Sequence, residues 1–178
     1  MVKRRILIFL IFVAIFSTAY SIGSESNISE EDSKSFVKDF QHTVEGIDAI
    51  GIFTHNTTVA LPMFLPGFGI AWGSFAAWST GMAFKALVST TPALAKLPAL
   101  AIIYLSPFGV MELIAYSIGM SRSFILINTI LKRGNLREML RPTAIEIGIV
   151  IALLLAAAFI EYAMIQEFGS VLAHPKTH

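Results

Sequence analysis

The chain has 178 residues, of which 55% are apolar and 14% charged, with a formal net charge of +1. Soluble domains carry about 45–50% apolar and about 25% charged residues, so this composition argues against one, and the near-neutral charge leaves no surface for neutralising nucleic-acid phosphates. The absence of cysteine excludes disulfides, thiolate zinc sites, iron–sulfur clusters and cysteine nucleophiles together.

The apolar residues run in long blocks and the mean hydropathy is +0.71, the pattern of an integral membrane protein with no room for a large catalytic domain beside its spans. Lys3, Arg4 and Arg5 precede an apolar stretch from Ile6 to about Ile22, at about 17 residues the lower limit for crossing a hydrocarbon core of about 30 Å. A cleaved signal peptide shares that basic start and apolar centre. The small residues Ser17, Thr18, Ala19 and Ser21 do not form Ala-x-Ala, so a retained anchor over 1–22 is favoured. From 23 to 50 the chain turns acidic, Glu25, Glu30, Glu31, Asp32, Asp39, Glu45 and Asp48 outnumbering Lys34 and Lys38. Ser29 with Asp32 approximates a capping box, and Phe36, Phe40, Val44 and Ile47 follow at helical spacing. This predicts an amphipathic helix, lying on the membrane surface or packed on the protein's own spans.

The multispan domain is expected over 51–165. Its first apolar block, Ile50 to Phe84, is too long for one straight crossing, and Pro62, Pro66, Gly67 and Gly69 interrupt its middle. A hairpin of two spans, 50–66 and 68–88, follows. After the polar Ser89-Thr90-Thr91-Pro92, the sequence predicts a span over 97–120 kinked at Pro107, and a short interfacial helix over 122–133. A last span over 143–165 and a tail over 166–178 complete an all-α, polytopic transmembrane helix bundle of about five spans. With five crossings Lys3, Arg4, Arg5, Arg122, Lys132, Arg133, Arg137 and Arg141 share one side. The positive-inside rule then places the amino terminus in the cytoplasm and the carboxyl terminus outside.

Gly69, Gly73, Ala77 and Gly81 recur every four residues along the third span, a ridge on which another helix can approach closely. Ala115, Gly119 and Ser123 form a second, weaker ridge. Packing within the bundle is favoured over a contact between chains. Trp72 suits the cytoplasmic level and Trp78 the interior.

Charges at membrane depth usually face the bundle or a wet cavity. Glu112 follows the Pro107 kink, His55 and Asn56 enter the second span, and Glu146 and Glu161 sit near the two ends of the last. One reading is a proton- or cation-coordinating site centred on Glu112 with His55 or Asn56 beside it. The other is a structural hydrogen bond from Glu112, favoured because a single carboxylate without an acidic partner makes a poor ion pathway. Glu146 and Glu161 are expected to reach interfacial water. No catalytic motif is present, and His42, His174 and His178 match no metal-ligand spacing. Of the sequons at Asn27 and Asn56, the first is the more exposed.

Three stretches resemble the stage II sporulation protein M family of multispanning membrane proteins: Phe53-Thr54-His55-Asn56-Thr57, Ser106-Pro107-Phe108-Gly109-Val110-Met111-Glu112-Leu113, and Ala156-Ala157-Ala158-Phe159-Ile160-Glu161. That family typically shows Asn-Asn at the first, Pro-His-Gly with a Glu three residues later at the second, and Ile-Glu near the end. Here Thr57 replaces the second Asn and Phe108 the His, while Gly109, Glu112 and Glu161 fit. The resemblance covers roughly 50–165 and carries over no established catalytic residues; Asn56, Pro107, Gly109, Glu112 and Glu161 are motif positions only, and no cofactor is expected. The named member of the family works in a membrane complex that remodels cell wall during engulfment of the spore. The ridges of small residues, the amphipathic outer segment and the absence of catalytic sets give the first expectation, a non-enzymatic subunit or scaffold of a larger membrane assembly, partnered by lipid and other membrane proteins. The alternative is a transporter or permease component using the Glu112 region.

Overall fold

The computed structural model describes residues 2–27, 29, 31, 33–35, 38, 46–90 and 98–173. Among them every regular element is helical. Helix α1, Val2–Ser24, is followed by α2, Ala49–Ala60, and a 3-10 turn, Leu61–Phe64. Then come α3, Phe68–Thr90, the short α4, Ala99–Leu105, α5, Pro107–Leu131, and α6, Arg137–Ala173. Phe36, Phe40 and Val44 of the expected amphipathic helix lie outside the described residues, as do His42, His174 and His178. Three stretches are long and apolar enough to cross a membrane: Lys3–Ser24, Pro107–Leu131 and Arg137–Glu167. Helix α2 is only 12 residues long, and the Gly, Ser, Thr and Lys85 of α3 dilute its apolar content.

The hairpin turns where its prolines and glycines predict. Pro62 enters the 3-10 turn at its second position, and Gly67 takes a φ of 76°, a left-handed conformation that a side chain would strain. The two arms then part. Helix α2 packs chiefly on α6, while α3 packs on α1 and α5, and the arms share little contact beyond the turn. The closest crossing, α1 on α3, depends on paired glycines: a Cβ on Gly23 would overlap the Trp78 carbonyl, and one on Gly81 the Tyr20 carbonyl. With no water in the bilayer to drive helices together, this close backbone approach supplies the van der Waals attraction that does.

The ridge of Gly69, Gly73, Ala77 and Gly81 is buried along its length, Gly69 against the Met63 carbonyl and Gly73 against the Met120 side chain. Ala115, Gly119 and Ser123 are buried too, with Gly119 on Met63 and Phe64 and the Ser123 hydroxyl donating to the Leu65 carbonyl at 2.5 Å. Both ridges thus serve packing within the chain. Trp72 is half-buried and its indole donates to the Val59 carbonyl at 2.9 Å, tying the hairpin's arms together near the turn; Trp78 is half-buried as well.

The Ser106–Pro107 break and the Arg122 region differ from the sequence expectation. Pro107 does not kink one helix; it starts a new one. Ser106 is extended (ψ 130°), its hydroxyl accepts from the Gly109 amide at 3.2 Å, and Pro107 occupies the first turn, where a missing N–H is no loss. From there α5 runs unbroken for 25 residues to Leu131, so no separate interfacial helix begins at 122. The polar Ser121-Arg122-Ser123 does not interrupt it because all three side chains are buried with partners inside the bundle.

Candidate functional site

Helices α5 and α6 bring two polar levels together. At the level of the hairpin turn, Arg122 (4% exposed) grips Glu146 with two bonds, Nε to Oε2 at 2.7 Å and Nη2 to Oε1 at 2.5 Å. Arg5 of α1 adds a third through its Nε, 2.8 Å from Glu146 Oε1, and its Nη1 donates to the Ser121 hydroxyl at 2.8 Å. Two guanidinium groups on one carboxylate tie α1, α5 and α6 at one end. The sequence reading counted Arg5 and Arg122 as loop charges and left Glu146 to interfacial water. The available signal was a lone acid, Glu146, among the basic ends of three apolar segments.

Glu112 lies ten residues before Arg122 and Glu161 fifteen after Glu146, offsets of about 15 Å and 22 Å along their helices. At this second level a cavity of about 720 Å³ opens between the parted arms of the hairpin, walled by residues from all six helices. The motif residues meet there. His55, Asn56, Gly109, Glu112 and Glu161 all line it; Pro107 stands outside, starting the helix that carries Glu112.

Each motif side chain has a local reason for its place. Asp48 caps α2 by accepting from the Gly51 amide at 2.7 Å, which sets the helix that turns Asn56 inward (8% exposed) and leaves His55 exposed. The Asn56 amide donates to Glu112 Oε1 at 2.6 Å, so one carboxylate oxygen is held. Gly109 has no room for a side chain, because the Ser106 hydroxyl and the Ile103 carbonyl press against it. Thr57, at the position of the family's second Asn, buries a hydroxyl that has no hydrogen-bond partner among the described residues, as does Ser117.

Glu161 supplies what the sequence reading found missing, a second carboxylate near enough to Glu112 for the two charges to interact. Among the described residues nothing hydrogen-bonds or pairs with Glu161. Tyr116 (8% exposed) lies within electrostatic reach of both acids and stacks on Phe16, ring centroids 5.6 Å apart. The rest of the wall is mainly apolar, including Ile52, Val59, Ile103 and Leu113. Two acids in such surroundings are neutralised either by protonation or by a positive charge beside them. Among the described residues no group of three or more His, Cys, Asp or Glu is placed to hold a metal ion.

A chain whose described residues form only helices, three of them long and apolar enough to cross a membrane, defines a multispanning membrane protein. The chain matches the family model described as stage II sporulation protein M over residues 6–164, and it belongs to that family. No curated protein and no solved structure matches it.

Proposed function

We propose that this protein is a non-enzymatic transport component whose working site is the Glu112–Glu161 cavity, where a positively charged ligand is held within the membrane. One observation carries this reading: two motif acids, far apart in sequence and on different helices, line one cavity. Asn56 fixes Glu112, while Glu161 is left to engage an occupant.

The same reading takes five crossings, α1, α2 with its turn, α3, α5 and α6, with the amino terminus cytoplasmic and the carboxyl terminus outside. Its support is the basic cluster at the clamped end and a hairpin turn at that same level, where Ser123 binds Leu65. It also takes 1–22 as a retained helix: Arg5 is bonded into the clamp and Phe12, Phe16 and Tyr20 are buried in the core. The scaffold reading rested in part on ridges of small residues that the chain fills itself; a stoichiometric partner recovered in mild detergent would restore it.

The test is made in the host cell. Glu112→Gln and Glu161→Gln chains at normal membrane abundance are expected to reproduce the growth profile of a deletion strain over a panel of cationic and neutral solutes. Wild-type growth by both variants, wherever the deletion strain differs, overturns the proposal.

A further inference from the structure

Resting on that reading of the cavity, we infer that its occupant is a lipophilic ammonium compound, net cationic, that enters sideways from the bilayer between α2 and α3. Three features of the cavity select this chemistry.

The first is size against wall. A volume of about 720 Å³ falls in the range of about 300–1,000 Å³ that suits drug-sized organic ligands. A bare inorganic cation needs a tight shell of oxygens at about 2.0–2.6 Å; here the acidic lining residues are two, facing a largely apolar surface. Phe16, Ile52, Val59 and Leu113 suit a hydrocarbon body.

The second is charge. Glu112 and Glu161 are acids that can ionise against a cation, no Lys or Arg lines the cavity among the described residues, and Tyr116 adds an aromatic ring, the surroundings in which ammonium groups are bound. A zwitterionic or anionic headgroup would bring a phosphate or sulfate against the carboxylates without a cation to receive it. The guanidinium groups of the clamp are committed to Glu146 and Ser121 at the other level.

The third is the route. The arms of the hairpin part above the 3-10 turn, since α2 leans on α6 and α3 on α1 and α5. His55 of α2 and Ser79 and Thr80 of α3 are exposed cavity-lining residues on either side of this gap. Ser79 and Thr80 lie halfway along α3, so the opening sits at membrane depth instead of at the helix ends.

The test uses the full chain in nanodiscs of zwitterionic lipid with four probes of one tail length: dodecylamine, dodecyltrimethylammonium, dodecanol and dodecyl sulfate. Labelling of Glu112 and Glu161 by dicyclohexylcarbodiimide is read by mass spectrometry, and the melting temperature is followed alongside. At about ten times its Kd a bound probe leaves about one site in eleven free, so the two cationic probes are expected to slow labelling about tenfold. They are also expected to raise the melting temperature of the wild type but not of the Glu112→Gln/Glu161→Gln chain. Equal protection by dodecanol overturns the charge assignment. No protection and no cation-specific rise in melting temperature overturn the ligand class; the transport reading then stands or falls on the growth profiles alone.

Discussion

Removing Glu146 is the sharpest perturbation of this fold, because one carboxylate answers two guanidinium groups. In Glu146→Ala, Arg122 loses both of its bonds while its side chain is only 5% exposed, and Arg5 loses one at 25% exposure. Breaking a buried pair from one side costs about 3–5 kcal/mol, since the remaining charge is left without compensation. Arg122→Ala leaves Glu146 with Arg5 and should cost about 2–4 kcal/mol. Arg5→Ala leaves the bidentate pair intact and removes a bond at a partly wet site, about 1 kcal/mol. Against a total stability of about 5–15 kcal/mol, the first of these removes a large share. Reversible unfolding in mixed micelles, followed by circular dichroism, gives the three values on one scale. Equal costs for the two arginines, or a loss under about 1 kcal/mol for Glu146→Ala, would refute the assignment of Arg122 as the buried partner.

Gly81→Leu should separate α1 from α3 and cost about 3 kcal/mol, because the opposing Tyr20 carbonyl belongs to a helix backbone. Gly73→Ala would press on the Met120 side chain, which is buried but flexible, and should cost about 1–2 kcal/mol in the same unfolding assay, less than Gly81→Leu. Ser106→Ala removes the cap of α5 and should cost about 1 kcal/mol; faster hydrogen exchange at the Gly109 amide would place the loss at that cap. The chain has no cysteine, so single reporters read its topology: Asn27→Cys should react with an impermeant maleimide in intact cells and Leu136→Cys only after permeabilisation. The reverse pattern would invert the proposed orientation.

The division between sequence and tertiary structure follows the range of the forces involved. Local chemistry fixes the hairpin turn at Pro66–Gly67 and the start of a helix at Ser106–Pro107, because φ limits and capping act within a few residues. The long apolar runs make α1, α5 and α6 legible, and repeated small residues mark where helices touch. What the sequence could not determine is which polar groups face each other. Ser121-Arg122-Ser123 reads as a boundary, yet Arg122 is buried because Glu146, 24 residues on, turns back to meet it. Glu112 reads as a solitary acid, yet α6 returns antiparallel to α5 and brings Glu161 to the same cavity. Such pairings depend on helix register across the bundle, and charge compensation at membrane depth is decided only when the helices have packed.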